Sequence, residues 1–270
     1  MPEGHVIHRL AAELDAAFAG RPVHVTSPQG RFAEAAALLD GAVLHTAEAY
    51  GKHLLLDFPS GHVVHIHLGL IGKLRWVRPG PVEGAGTVRL RIESEAHAAE
   101  LRGPQTCALV GPAEVAALVA DLGPDPLRPD ADPERGWRRV HRSGRTIASL
   151  LMDQRVTAGV GNIYRAEVLY RQRISPDMPG NELSRVKWNR VWADLVELMP
   201  QGVRHGRIDT VRPEHTPEAM GRDPRVDAHG GEVYVYRRAG QPCLACGAEV
   251  RVREVEGRNL YWCPRCQRRR

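Results

Sequence analysis

Apolar residues recur every fourth position at the start of the chain. In HVIHRLAAELDAAFAG they are Val6, Leu10, Leu14 and Phe18, one stripe of a helix, with Gly20 placed to stop it. The period then changes. Short alternating or β-branched runs follow, PVHV, AVLHT, KHLLLDF, HVVHIHL, KLRWV and TVRLRIE, punctuated by turn residues as in FPSGH and RPGPVEG. Such strands without intervening helices predict an antiparallel sandwich or barrel-like sheet. Pro124, Pro126, Pro129 and Pro133 then crowd into DLGPDPLRPDADPERG, which reads as a semi-rigid linker. Helical spacing returns beyond it. TIASLLMDQ has an apolar face at Ile147, Leu150 and Leu151, and NIYRAEVLYRQ has one at Ile163, Ala166, Leu169 and Tyr170. ELSRVKWNRVWADLVELM carries a longer stripe through Val186, Val191, Leu195 and Leu198. A polar loop, RPEHTPEAMGRDPRVDAHGGE, leads on to EVYVYRRAG and the C-terminal segment.

Composition adds little until it is resolved by position. The 270 residues are 43% hydrophobic and 26% charged, which is ordinary globular chemistry with room for two domains. No apolar run approaches the ~20 residues that cross a bilayer, and no secretory pattern opens the chain. These features predict a cytoplasmic protein without a membrane partner. The net charge is +5, but residues 237–270 hold nine arginines and three glutamates, so the preceding 236 residues are close to neutral. A basic end suits a polyanion such as nucleic acid, and equally suits a solvated terminus. Only Lys52, Lys73 and Lys187 stand against 34 arginines.

Four of the five cysteines give the strongest chemical signal. Cys243, Cys246, Cys263 and Cys266 form two C-x2-C pairs separated by sixteen residues. In a reducing compartment this spacing predicts two turns presenting four thiolates to one structural Zn2+, a closed site without catalysis at the metal. The intervening GAEVRVREVEGRNLYW alternates like a hairpin and puts Arg258 at its tip, either to fork onto a phosphate or simply to be solvated. In DQRVTAGVGNIYRAEVLY, Asn162 opens a helix after a glycine turn, as a phosphate site or as an ordinary cap. Lys52 leads a strand out of a glycine turn. Leu70, between Gly69 and Gly72 in HLGLIGKL, packs in the core by default or wedges into a partner such as a base stack. The opening MPEG permits removal of Met1, which would free the secondary amine of Pro2 beside Glu3. Glu3 also suits the first turn of a helix.

Together these motifs resemble the formamidopyrimidine-DNA glycosylase / endonuclease VIII family of DNA repair enzymes, most closely its bacterial endonuclease VIII branch. The likeness runs from MPEGH through GKHLLLDF, HLGLIGKL and LMDQRVTAGVGNIYRAEVLYRQRISP to VYRRAGQPCLACG and GRNLYWCPRCQ. It implies an α+β multidomain fold. Residues 1–120 would form an N-terminal helix with an antiparallel β-sandwich, and 121–136 a proline-rich linker. A helix–two-turn–helix domain would occupy 137–231 and a zinc-finger hairpin 232–270, with DNA lying in a cleft. By position in the matching motifs, Pro2 is the implied nucleophile, Glu3 the general acid and Lys52 a third catalytic residue that grips phosphate. Asn162 and Arg258 are implied to bind DNA, and Leu70 to fill the gap left by an extruded base.

The implied activity is base-excision repair of double-stranded DNA holding a damaged base or abasic site. A monomer would remove oxidised bases, mainly pyrimidines, and cut the strand by β,δ-elimination through a Schiff base on Pro2. Localisation would be the bacterial cytoplasm, at the nucleoid. Two departures stand out: Val6 occupies the place of a second acidic residue, and GPQTCA, with Gln105 and Cys107, replaces the DPRRFG of the oxidised-purine branch. A relative acting mainly on abasic sites or oxidised purines, and a non-catalytic zinc-dependent DNA-binding module, are the alternatives. Base choice is expected to reside in pocket loops that include residues 212–231.

Overall fold

A computed structural model describes residues 2–227 and 231–268. The chain divides into two compact units that meet in sequence at Asp121 and Leu122. The first unit runs α1 (Gly4–Phe18), β1 (His24–Thr26), α2 (Ala33–Leu39), β2 (Thr46–Tyr50), β3 (His53–Phe58), β4 (His62–His67), β5 (Lys73–Val77), β6 (Val88–Glu93), β7 (Ala98–Arg102), β8 (Thr106–Val110) and α3 (Pro112–Asp121). Its strands form two antiparallel four-stranded sheets, β2-β3-β4-β8 and β1-β6-β7-β5. Leu54, Leu56, Val64 and Ile66 of one sheet share a core with Leu90, Ile92 and Leu101 of the other, as a sandwich requires.

Helix α1 closes this core with a face rotated slightly from the expected stripe. Ile7, Ala11, Leu14, Ala17 and Phe18 are buried, while Val6 and Leu10 are only half-buried. The small Ala11 and Ala17 let the helix approach the strands closely. Helices α2 and α3 have no counterpart in the sequence reading. α2 is a seven-residue alanine-rich turn of helix, and α3 buries none of its residues, so neither carries a legible stripe.

The second unit contains α4 (Pro133–His141), α5 (Ile147–Leu150), α6 (Asn162–Arg171), α7 (Arg185–His205), α8 (Pro217–Met220) and the antiparallel hairpin β9 (Arg251–Val255) and β10 (Arg258–Trp262). Tyr164, Leu169, Trp188 and Leu195 from the helices share one core with Val250, Leu260 and Cys263 of the hairpin. Two expectations need correction. The proline-rich stretch is not a free spacer: residues 122–126 are buried, Gly123 donates to the Gln154 carbonyl at 2.9 Å, and Pro124 accepts from the Ala158 amide at 3.0 Å. Proline there fixes backbone that packs, and Pro133 starts α4, where its missing N–H is harmless. Val186 is 60% exposed, and Trp188 takes the inward position instead. In the first turn, Ser184 sets the helix phase by accepting from the Lys187 amide.

Glu167 joins distant parts of this unit. Its carboxylate is fully buried and accepts from the Thr210 hydroxyl at 2.6 Å and from the amides of Tyr234, Val235 and Tyr236 at 2.7, 2.9 and 2.9 Å. Four donors offset the desolvation that a buried carboxylate otherwise suffers. Residues 234–236 are thereby held in a bend and turn whose three successive amides face one carboxylate.

Candidate functional site

The first site residues lie where α1 begins. Glu3 occupies the N-cap position with extended backbone, and its carbonyl accepts from the Val6 amide at 3.0 Å. Its side chain makes no cap hydrogen bond and is 0% exposed. A carboxyl placed only to favour the helix dipole would sit in solvent, and this one does not. Pro2 is half-buried immediately before it, and Met1 lies outside the described residues. His5, also buried, is pulled down to about 4 by burial and secondarily by the N-terminal charge.

Helix α1 packs on β2 and β3, whose hairpin turn is Gly51–Lys52. Gly51 adopts φ 59°, a left-handed conformation that a side chain would strain, and the turn delivers Lys52 at the head of β3. Beside it lie three histidines. His53 is opposite His67 in register, and its Nδ1 is 2.8 Å from Nε2 of His65. Burial pulls all three down. His53 falls to about 3, with the charges of His67, His65 and Lys52 adding to the effect. The cluster is therefore neutral near pH 7 beside the Lys52 ammonium. The alternation HVVHIH carries the signal for one shared face at His65 and His67, and register to His53 completes it.

Leu70 does not take its default place in the core. It is 65% exposed and its neighbour Ile71 78%, an apolar pair held out on the turn between β4 and β5. The brackets are sterically required. A Cβ on Gly69, at φ 68°, would lie 2.8 Å from Cβ of Gln105, and one on Gly72 would lie 2.2 Å from the Leu68 carbonyl oxygen. The Gln105 amide also donates to the His67 carbonyl at 2.9 Å, so GPQTCA braces this turn.

In the second unit, Asn162 is the first residue of α6 and Gly161 its N-cap, so the ordinary-cap reading of Asn162 does not hold. Gln154 shapes the preceding loop, accepting from the Gly159 amide and donating to the carbonyls of Met152 and Val160, each at 3.0 Å. Nδ2 of Asn162 donates to the Asn259 carbonyl at 2.9 Å, which joins the helix start to the hairpin. Arg165 donates to Oδ1 of Asn162 from below. The hairpin turn itself is Glu256–Gly257, with φ of 49° and 71° at its two central residues, the I′ geometry that suits a two-residue hairpin. Arg258, half-buried, follows that turn, and Arg145 ties the turn down by bridging Glu256 at 3.3 Å and Asp153 at 3.1 Å. Arg145, Gln154 and Arg165 escaped the sequence reading because their partners are 8 to 111 residues away or lie in loops without periodicity.

The four cysteine sulfurs lie within 4.8 Å of one another, with 3.9 Å between Cys243 and Cys266 and 3.5 Å between Cys246 and Cys263. Tetrahedral Zn–S bonds of about 2.3 Å require sulfurs about 3.8 Å apart, so the donor set fits zinc. The Tyr170 hydroxyl, 3.0 Å from Cys243, is placed to donate to that thiolate and orient it. The site residues thus form two sets: Pro2, Glu3, Lys52 and Leu70 in the first unit, and Asn162, Arg258 and the cysteines in the second.

Known proteins bear on this arrangement in order along the chain. Residues 1–107 match the formamidopyrimidine-DNA glycosylase N-terminal domain, 122–212 its H2TH domain, and 240–269 a zinc finger found in FPG and IleRS. Endonuclease 8 1 of Mycobacterium tuberculosis is 50% identical over 274 residues, covering 99% of this chain and all of that one. A formamidopyrimidine-DNA glycosylase of Methylococcus capsulatus is 34% identical over 235 residues, 85% of this chain and 84% of its own. The fold matches that of the Lactococcus lactis Fpg bound to DNA containing an abasic site, with a TM-score of 0.79 at 24% identity, over 99% of this chain and 100% of that one. With a structural zinc site and a DNA glycosylase's three domains in sequence, the chain belongs to the formamidopyrimidine-DNA glycosylase / endonuclease 8 family of DNA repair enzymes.

Proposed function

We propose that this DNA glycosylase is bifunctional: it removes oxidised bases, mainly pyrimidines, from double-stranded DNA and cuts the strand by β,δ-elimination, with Pro2 as nucleophile. The observation that carries the reading is the fully buried carboxyl of Glu3 directly after Pro2. A module that only bound DNA would have no use for a desolvated acid at its N-terminus. Once Met1 is removed, Pro2 presents a secondary amine, and α-amines titrate near ~8, leaving a useful uncharged fraction at neutral pH. The amine attacks C1′ of the flipped nucleotide, the glycosidic bond breaks, and Glu3 delivers a proton to the leaving base or ring oxygen. The resulting iminium on the opened sugar withdraws electrons. It acidifies C2′–H, whose loss breaks the C3′–O bond, and loss of C4′–H from the conjugated product then breaks the C5′–O bond. Lys52, Asn162 and Arg258 hold phosphates, and Leu70, already exposed, fills the space the base vacates.

Two features support oxidised pyrimidines over purines. GPQTCA stands where the purine branch has DPRRFG, and the 50%-identical relative, matched over its whole length, is an endonuclease 8. A duplex panel with oxidised pyrimidine, oxidised purine, formamidopyrimidine, uracil or an abasic site tests the preference, and faster cutting of the purine lesions would reverse it. Borohydride should trap a covalent complex between the processed protein and abasic DNA. Protein with residues left in front of Pro2, whose nitrogen is then an amide, should bind DNA and give no adduct. No trapping by protein verified to start at Pro2 would refute the mechanism.

A further inference from the structure

The second unit holds another basic site, at the far ends of the elements that carry Asn162 and Arg258. A cavity of about 580 Å3 opens among the C-terminal end of α6, the first turns of α7 and the cysteine knuckles. Five basic side chains line it, Arg173, Lys187, Arg190, Arg265 and Arg268, and no acidic one does. Elsewhere in this unit Arg145, Arg171, Arg185, Arg222 and Arg225 each pair with a carboxylate. Among the described residues none of the five cavity cations has an ion-pair partner. The placement of Lys187 also opposes local stability: it lies in the first turn of α7, with no acidic residue there, although a helix N-terminus disfavours cations.

Charge balance with the metal accounts for only part of this. A zinc ion with four thiolates carries about −2, which two of the five cations offset, leaving roughly +3 uncompensated. The cavity is also remote from the phosphate grip already assigned. The ten residues of α6 separate its two ends by about 15 Å. Along the hairpin, Arg258 and Cys263 are five residues apart, about 17 Å of strand. One phosphate cannot reach both places.

We infer that this cavity is a second phosphodiester site, which holds an undamaged stretch of DNA backbone while the Asn162–Arg258 end engages another. Four of its five cations are arginines, whose fork geometry matches phosphate oxygens. Nucleic acid supplies a charge about every 3.4 Å along each strand, a spacing that a cluster of neighbouring cations can follow. Such a site lets the protein stay tethered to one segment while testing the next.

The test counts duplexes. Sedimentation of the full-length zinc-loaded protein with a short undamaged duplex at low salt should reach two duplexes per protein. Arg190→Glu combined with Arg268→Glu should reduce this to one and weaken the second site at least ~10-fold, and the slope of log K against log salt for that site should fall by about two. Both side chains are exposed, and zinc content and circular dichroism should match the parent. Arg190→Ala with Arg268→Ala should give a smaller loss in the same direction. Trapping on a short abasic duplex should be unchanged by either pair. Because the count uses undamaged DNA, it stands apart from the chemistry assigned to Pro2. One duplex per protein overturns the site, as does a second site indifferent to both pairs. Occupation by polyglutamate but not by duplex overturns it in favour of an acidic protein partner.

Discussion

Among the described residues two carboxylates are 0% exposed, Glu167 and Glu3, and the predictions for them differ. Glu167 is enclosed by one hydroxyl and three amides that tie α6 to residues 210 and 234–236. Glu167→Gln keeps the shape but turns an NH2 toward donors. The expected loss is about 3 kcal/mol, or a melting point lower by roughly 6–12 °C for a unit of this size, read by calorimetry. Glu3→Gln should instead leave melting nearly unchanged and abolish base removal. Trapping on pre-formed abasic sites should persist, because an aldehyde needs no leaving-group proton, and equal loss on both substrates would contradict the role given to Glu3. His5 makes a third residue-scale prediction. Its folded value near 4 lies below the unfolded 6.5, so the unfolded chain takes up the proton first and stability falls as pH drops from 6.5 toward 4. At pH 5 the loss should be about 2 kcal/mol relative to pH 7, and His5→Gln should flatten that part of a urea-denaturation pH series. The types of Pro2 and Glu3 were legible in the sequence. The burial of Glu3 was not, since it depends on what packs over residue 3.

At the scale of elements, periodicity revealed β1, β3 to β6 and the helices α1, α5, α6 and α7, met β2 only at Thr46, and missed β7, β8 and α4 together with features set by neighbours. Leu70 shows why. Its apolarity favours the core, yet the turn, with Gly69 at φ 68° packed against Gln105, holds it 65% exposed. Gly69→Ala should combine the strain of a left-handed alanine with the 2.8 Å clash, costing about 2 kcal/mol. With Leu70 as the proposed wedge, it should also weaken binding to a duplex with an abasic gap more than to intact duplex. Equal weakening of both would speak against Leu70 as a wedge. Val186 and Trp188 make the same point on α7: both are apolar and two residues apart, and the Ser184 cap sets the phase that buries only Trp188. The proline-rich stretch misled for a related reason. Proline stiffens packed backbone and free spacers alike, and only hydrogen bonds such as Gly123 to Gln154 distinguish them.

For the whole molecule, the zinc spacing and the α+β order were readable from residue types alone, because four thiolates at two short spacings have few other uses. That the metal hairpin shares its core with the helices was not readable. Val250, Leu260 and Cys263 pack in the same cluster as Leu169 and Leu195, while the first unit has a separate core. Removing zinc with a strong chelator should therefore destabilise the second unit beyond its hairpin and leave the sandwich folded. Hydrogen exchange should show lost protection in α6 and β10 and preserved protection in β3 and β4. Loss confined to residues 240–268 would show the finger to be an independent module.

The clamp around Glu167 has a further consequence, for variation rather than stability. Thr210 donates through its amide to the Glu232 carbonyl at 2.8 Å, and the Glu232 amide donates to Asp209 at 2.8 Å. The stretch from 211 to 231 therefore leaves and re-enters the scaffold through one fixed doorway. Closing a loop costs only about 0.6 kcal/mol more for each doubling of its length. Length between those posts can drift at little cost, whereas Arg212, His215, Arg222 and Arg225, which bond to Tyr234, Glu232 and Tyr236, tie their parts of the stretch to the scaffold. Lesion preference, where it resides there, would evolve through the residues between these anchors.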